Sequence, residues 1–302
     1  MRLTIGPILF HWPAEKKIDF YARIADEAPV DTVYLGEVIC SKRTPFFEPH
    51  LPDVIARLER GGKTVVLSSL SEVMLKRERD MMEAIAATQG HEIEINDASA
   101  LLFASGRPHR LGPLMNVYND ETLAYLAKRG ATHVCAPPEL PGASLAILAA
   151  RGRALGVGVE AQAFGRASLA ISARCYHARA HGRVKDNCQF VCEEDPDGMP
   201  LKGMDGKTFL TVNGVQTLSH AYLDLSGEIE ALVTMGVSDL RLSPHGVDMV
   251  AAAQAWRDAL DGRISSVELK RRIAAIVATA PVANGFFHGR AGHLNLAPAH
   301  GS

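Results

Sequence analysis

The sequence alternates short β-rich runs with helical patterns over most of its length. The predicted strands are 3–10, 32–38, 64–69, 91–96, 114–118, 132–137, 156–164 and 237–244. The predicted helices are 14–27, 50–61, 71–88, 97–104, 120–129, 141–152, 247–259 and 266–277. Strands that alternate with helices are parallel and joined by right-handed crossovers. Eight of them predict an α/β fold, a (β/α)8 TIM-barrel-like single domain.

An open doubly wound sheet is the alternative fold, but the stretch after the first strand, GPILFHWP, is not the glycine-rich phosphate loop of that fold. A length of 302 residues suits one barrel. We therefore expect a barrel domain over 1–285. It includes a cysteine-bearing segment after strand seven, 166–206, called here the cysteine loop. A small hairpin is expected at 207–213, and an irregular C-terminal tail at 286–302.

Charge and hydropathy exclude several classes of partner. The net charge of −2 gives no reason to expect a nucleic-acid partner. No run of 18 apolar residues occurs, so no transmembrane helix is expected. The N-terminus lacks the apolar region of a signal peptide. Five cysteines without such a signal favour a cytoplasmic protein, where clustered thiols more often bind metal or do redox chemistry than form bridges.

Three of the five cysteines, Cys175, Cys188 and Cys192, lie in the basic run SARCYHARAHGRVKDNCQFVC at 172–192. Cys40 follows predicted strand two. The carboxyl ends of all the strands of a barrel share one face. Cys40 can therefore meet the other three cysteines in a four-thiolate site. Cys135 lies in an apolar run inside strand six, which indicates a core residue.

The spacing of these cysteines leaves three readings open. Thiolates drawn from loops at irregular intervals favour an iron–sulfur cluster. Structural zinc prefers closely spaced cysteine pairs, and only Cys188 and Cys192 form one, although His177 and His181 could replace thiols as zinc ligands. The third reading is that no metal is bound and the basic run is a solvated loop.

Polar side chains follow most of the predicted strands, where a barrel places its chemistry. Individually, each is more readily explained as a turn or helix-capping residue. Together they indicate a pocket at that face of the barrel. The set includes His11, Trp12, Glu37, Ser68, Ser69, Asn96, Asp97, Asn116, Tyr118, Asn119, Glu139, Gln162, Arg166, Ser243 and His245.

The stretch EAQAFGRASLAISARC, 160–175, resembles the seventh-strand pattern of the U-32 peptidase-like (collagenase-like) family, E-x-F-x-x-G-x-[LIVM]-C-x4-G-x-C. Glu160, Gly165 and Cys175 match, and Ala167 replaces a larger aliphatic residue. The sequence departs from the pattern at three positions, where Gln162, Ser168 and Ala173 replace Phe, Cys and Gly. A serine at 168 removes one thiol that other members of the family can use as a ligand.

One branch of this family instead carries a cysteine after strand two, and the chain resembles that branch over 1 to about 285. The matching stretches are YLGEVICSKR (34–43), KDNCQFVC (185–192), NGVQTLS (213–219) and RLSPH (241–245). The resemblance implies a [4Fe–4S] cluster held by Cys40, Cys175, Cys188 and Cys192. It also implies a heterodimer with a sibling subunit, and a role in oxygen-independent hydroxylation of ubiquinone precursors, with prephenate as hydroxyl source.

The resemblance leaves the catalytic residues unknown. Lys42, Arg43, Arg166 and Arg174 are expected to flank the cluster, where they would either neutralise its negative charge or bind an anionic substrate. An alternative is a non-catalytic partner whose cluster relays electrons or is structural. A U-32-type peptidase is a further alternative, for which the sequence offers no convincing pair of nucleophile and base.

Overall fold

The computed structural model describes residues 1–278 and 280–297, and over these residues the chain forms twelve strands. In chain order they are β1 (Arg2–Ile5), β2 (Thr32–Leu35), β3 (Thr64–Ser68), β4 (Glu92–Ile95), β5 (His109–Leu111), β6 (Ala131–Ala136), β7 (Gly158–Ile171), β8 (Met199–Lys202), β9 (Thr208–Asn213), β10 (Gln216–Asp224), β11 (Asp239–Leu242) and β12 (Val282–Ala283).

Strands β1 to β7 and β11 form a closed parallel barrel, because β11 pairs in parallel with both β7 and β1. The helices are α1 (Ala14–Glu27), α2 (Leu51–Arg60), α3 (Lys76–Ala87), α4 (Leu101–Ala104), α5 (Asp120–Ala127), α6 (Gly142–Leu155), α7 (Tyr176–Ala180), α8 (Ile229–Met235), α9 (Met249–Leu260) and α10 (Ser266–Val277). The predicted (β/α)8 TIM-barrel fold is confirmed. None of the helices in the described ranges has the length and apolar composition to cross a bilayer.

Strand one, expected at 3–10, ends at Ile5, and strand two, expected at 32–38, ends at Leu35. Two further predicted strands differ in position or length. Strand five was expected at 114–118, but β5 is His109–Leu111, and 113–115 forms a 3-10 turn that ends at Asn116 in a left-handed conformation. The prediction was wrong because β5 is short and carries the charged Arg110, whose side chain is buried. Strand seven was expected to end at 164, whereas β7 continues to Ile171. The first six residues of the cysteine loop therefore extend the strand.

The long β7 supports an antiparallel extension of the barrel. Strand β10 pairs with the second half of β7, β9 pairs with β10, and β8 pairs with β9. The hairpin expected at 207–213 is present as part of this extension. In the tail, the Asn284 side chain accepts a hydrogen bond from the Leu296 N–H at 2.7 Å, which holds that segment against the barrel. Residues 298–302 lie outside the described ranges.

The interior of the barrel contains a buried ionic cluster. Arg241 on β11 is 3% exposed, and its guanidinium donates to Glu94 Oε1 at 2.6 Å and to Glu160. Thr4 Oγ1 donates to Glu160 at 2.5 Å, and the Arg241 guanidinium lies 3.9 Å from the centre of the Tyr34 ring. One guanidinium charge thus balances the charges of two carboxylates in a buried site. Such clusters are costly to break by removing one member.

Replacing Arg241 with methionine should therefore destabilise the fold strongly, because two buried carboxylates lose their cation. We expect the free energy of unfolding in urea to fall by about 3–5 kcal/mol. The matched control is Arg23→Met, which removes an exposed guanidinium 3.5 Å from Glu27. That change should leave the free energy of unfolding almost unchanged, because the pair is exposed to solvent. Similar losses in the two variants would contradict the role assigned to Arg241.

Candidate metal centre

Four of the five cysteines line one cavity at the carboxyl face of the barrel. Cys40 comes from the loop after β2, and the other three come from the cysteine loop. The lining consists of Cys40, Lys42, Arg43, Cys175, Lys185, Cys188, Phe190, Val191, Cys192, Gly214 and Val215. Cys135 lies apart from them on β6 and is 2% exposed in the barrel interior. The fold thus brings together the four thiols that the sequence singled out.

The position of Cys40 is fixed by the turn that follows β2. Gly36 has φ +139°, and a Cβ atom there would lie 2.3 Å from the Ser68 carbonyl oxygen, so the turn requires glycine. Glu37 Oε1 then accepts the N–H groups of Ile39 and Cys40, each at 3.0 Å. The carboxylate of Glu37 therefore holds the backbone of Cys40 at the cavity.

The remaining thiols are placed by two local structures. Cys175 caps the N-terminus of α7, where its Sγ accepts the Ala178 N–H at 3.4 Å. Between Cys188 and Cys192, two consecutive residues adopt left-handed conformations, Gln189 with φ 50° and Phe190 with φ 52°. Such conformations are uncommon for residues other than glycine. They turn the chain back on itself, so that Cys188 and Cys192 both reach the cavity.

Arg43 places a buried positive charge beside these sulfurs. The residue is 1% exposed, and its guanidinium donates to the Leu9 carbonyl at 2.9 Å and to Asn213 Oδ1 at 3.0 Å. Burial alone lowers the pKa of Arg43, but Glu37 and the thiols of Cys192 and Cys40 outweigh it and raise that pKa above its usual value. The cavity wall is thus permanently cationic at this point.

Two lysines add to this positive wall. Lys42 Nζ donates to the Lys185 carbonyl at 2.6 Å, which ties the Cys40 loop to the cysteine loop. Lys185 Nζ in turn pairs with Glu72 at 2.8 Å. No carboxylate of the described chain belongs to the lining of the cavity.

Burial raises the pKa of the Cys40 thiol, and also that of Cys175. A bound cation or metal group would favour their thiolate forms.

The other two basic candidates lie elsewhere. Arg174 is exposed and lines a groove beside Cys175, together with Arg179, Arg183 and Lys185. Arg166 lies outside the cysteine cavity, because its position on β7 directs its guanidinium to the His220 carbonyl and to Asp197 Oδ2, the latter at 3.2 Å. Of the four basic residues expected around the thiols, Lys42 and Arg43 are in the wall and Arg174 borders it.

Asp197 anchors the cysteine loop to the barrel, a role that sequence reasoning missed. Its carboxylate accepts hydrogen bonds from His245 Nδ1 at 2.9 Å and from Tyr222 Oη at 2.7 Å, in addition to Arg166. The neighbouring Pro196 carbonyl accepts the Trp12 Nε1–H at 2.5 Å. Nothing in the local sequence marks Asp197, because its partners come from β7, β10 and the loop after β11.

His11 is an unusual neighbour of this site. It is 2% exposed, neither ring nitrogen has a hydrogen-bond partner, and the ring packs against Phe46 and Phe190 at centroid distances of 5.1 and 5.6 Å. Burial lowers the pKa of His11 to about 4, with a further contribution from Arg43 and Lys17. His11 is therefore a neutral, largely apolar contact for the loop that carries Cys188 and Cys192.

Comparison with known proteins agrees with the family suggested by the sequence. Residues 19–296 match the sequence profile of peptidase family U32. The chain belongs to peptidase family U32. The U32 chain also matches a structure described as the crystal structure of an uncharacterized B. cereus protein. The identity is 12% and the TM-score 0.43, with coverage of 90% of this chain and 65% of the other. The U32 chain thus spans less than two thirds of that protein's length.

The buried neutral state of His11 predicts a specific loss of stability in acid. The pKa of His11 is 6.5 in the unfolded chain and about 4 in the folded protein. The contribution of the neutral imidazole to stability is therefore fully present above pH 6.5, and it is lost as the pH falls toward 4. Between pH 7.5 and 5, the wild type should lose about 2 kcal/mol of unfolding free energy that His11→Phe retains. Denaturant titrations at both pH values measure this.

The matched control is Leu102→Phe, which adds a ring at an exposed position without removing a titratable group and should show the same pH dependence as the wild type. An identical loss of stability in the wild type and in His11→Phe would contradict the assignment of His11 as a buried neutral imidazole.

Proposed function

We propose that this U32 protein holds a [4Fe–4S] cluster through Cys40, Cys175, Cys188 and Cys192. We further propose that it is the iron–sulfur subunit of an oxygen-independent ring hydroxylase in ubiquinone biosynthesis. The observation that carries the proposal is the convergence of four thiols, from two widely separated segments, on one cavity with cationic and apolar walls.

The donor set and its surroundings fit such a cluster. Four thiolates are the usual ligands of a [4Fe–4S] group, and the assembly is anionic. The positive charges of Lys42, Arg43 and Lys185 would offset that charge, and Phe190, Val191 and Val215 would limit access of water. When bound, the cluster supplies electron transfer. The part of this chain is to hold it, set its electrostatic environment and shield it.

The spacing of the sulfurs favours a cluster over a single zinc ion. With Zn–S bonds of 2.3 Å, tetrahedral zinc holds its sulfur ligands about 3.8 Å apart. Among the described residues, no three of the four cysteine sulfurs lie within 4.8 Å of one another. A four-iron cluster takes one thiolate on each iron and therefore separates its ligands further.

The site also supports the finer assignment within the family. The stretches that resemble the UbiV (YhbV) branch converge on the cavity, since Cys40 and Arg43 come from YLGEVICSKR, Cys188 and Cys192 from KDNCQFVC, and Gly214 from NGVQTLS. Proteins of that branch act with a UbiU-like sibling. We propose the same heterodimer here, with a ubiquinone precursor as substrate and prephenate as hydroxyl donor. Arg174, exposed beside Cys175, is a candidate contact for a carboxylate.

A peptidase is the second candidate, because the family carries that name and Asp197 and His245 form a carboxylate–imidazole pair at 2.9 Å. A serine or cysteine peptidase needs the second ring nitrogen of that histidine as a base for its nucleophile. Here His245 Nε2 accepts the backbone N–H of Arg166 at 2.8 Å. Both nitrogens are thus occupied by structural hydrogen bonds, which favours the iron–sulfur role.

Removal of Cys40 tests the cluster ligands directly. Cys40→Ala should lower bound iron and sulfide in anaerobically purified protein as much as Cys188→Ala does, because each removes one of four thiolates. Cys135→Ala is the matched control and should keep its iron, since Cys135 is buried on β6 away from the cavity. Full iron content in Cys40→Ala, or equal loss in Cys135→Ala, would show that the ligand set is wrong.

Complementation tests the biological role. In a bacterial strain that lacks its own oxygen-independent pathway, co-expression of this chain and a UbiU-like partner should restore ubiquinone synthesis without oxygen. Cys40→Ala should abolish this, and Cys135→Ala should not. The two proteins should also co-elute as a heterodimer on size-exclusion chromatography. Restored synthesis by the Cys40→Ala variant would refute a functional cluster.

The same system separates a catalytic subunit from an electron relay. If this chain binds the ubiquinone precursor, isothermal titration with the purified single chain should detect binding, and Arg174→Ala should weaken binding of the anionic donor while iron content stays constant. If the ubiquinone precursor binds only to the isolated partner, the partner carries out the hydroxylation and this chain relays electrons.

A further inference from the structure

A second group of potential metal ligands lies in the cysteine loop, outside the cysteine cavity. Ligand atoms of His177, His181 and Asp195 all lie within 4.8 Å of one another. His177 is on α7, His181 immediately follows that helix, and Asp195 lies three residues after Cys192. None of the three lines the cavity that holds the four thiols. The group therefore requires its own explanation.

His177 is the buried member of the group. It is 0% exposed, its Nε2 lies 2.8 Å from Asp195 Oδ2, and its Nδ1 has no hydrogen-bond partner. Buried polar atoms in proteins normally have partners, and one that lacks a partner calls for a specific cause. Asp195 faces Nε2, so an ion shared by the two residues would bind Nε2 in place of this hydrogen bond, and Nδ1 would carry the proton.

His181 is oriented as a metal ligand would be. Its Nδ1 lies 3.0 Å from the His177 carbonyl oxygen, and a carbonyl can only accept, so Nδ1 carries the proton and Nε2 keeps a free lone pair. Metal-binding histidines commonly donate their second nitrogen to a backbone carbonyl in this manner. The four-residue spacing places both imidazoles on one side of α7, with ring centroids 5.4 Å apart.

We propose that His177, His181 and Asp195 form a zinc site, with a fourth position open to water. Two imidazoles and one carboxylate are a donor set that zinc accepts, and zinc binds such sets more tightly than ferrous iron does. Ligand atoms within 4.8 Å need only a small contraction to reach a tetrahedral ion, and exposed His181 is free to make it.

The ion would cross-link the two halves of the cysteine loop. Cys175 stands two residues before His177, and Cys192 stands three residues before Asp195. Zinc would therefore fix the distance between the segments that carry these thiols. The proposed zinc site does not depend on which metal group the four thiols bind.

Zinc content and thermal stability test the site in the full chain. Protein purified without oxygen is equilibrated with Zn2+ and desalted, and zinc and iron are counted separately by emission spectrometry. The wild type should retain one zinc per chain more than His181→Ala, and Zn2+ should raise the Tm of the wild type but not of His181→Ala. His50→Ala, outside the group, is the matched control and should behave as the wild type.

Asp195→Asn separates a ligand from a simple tether. Asparagine can still accept the hydrogen bond from His177, so a structural role would survive, whereas loss of the charged ligand should weaken zinc binding at least about tenfold. Equal zinc in the wild type, His181→Ala and Asp195→Asn, including none in any of them, would overturn the proposal. Zinc held by the cysteines instead would be lost in Cys188→Ala and retained in His181→Ala, which would also overturn the proposal.

Discussion

The buried guanidinium of Arg43 is the interaction on which the candidate metal centre depends. It joins the loop after β1 through the Leu9 carbonyl, the loop after β2 through Glu37, and the end of β9 through Asn213. A buried cation is tolerated only where charge and hydrogen bonds compensate it. The Glu37 carboxylate lies 4.0 Å from the Arg43 guanidinium and balances part of its charge. The adjacent cysteine sulfurs are the other groups near the guanidinium that are anionic when they are thiolates.

The same residue explains why glycine follows Asn213. Gly214 has φ +62°, and a Cβ atom at this position would lie 2.8 Å from Arg43 Nη2. The β9–β10 turn thus approaches the guanidinium too closely for a side chain. Two sequence stretches that resemble the same branch of the U32 family, 34–43 and 213–219, are therefore coupled through one packing contact. The contact needs the arginine of the first stretch and the glycine of the second together.

The barrel and the convergence of Cys40 with the later cysteines could be predicted from the sequence, because both follow from the order of strands and helices. Helices α1 and α10 have the predicted bounds. The role of Arg166 could not be predicted, since it depends on how far β7 extends beyond the barrel. Asp197 was missed for a related reason: its partners Tyr222 and His245 meet it only through the path of the cysteine loop, and that path has no periodic pattern.

The separation of Cys40 from the other three cysteines has a consequence for assembly. Cys40 follows β2, whereas the cysteine loop follows β7, and the two are held in place only when β11 has closed the ring between β7 and β1. Contacts between parts so distant in the chain form late in folding. Until the ring closes, Cys40 is therefore separated from the other three thiols. In the proposed function, completion of the ligand set would report that the barrel has closed, and metal loading would act as a checkpoint on the folded state.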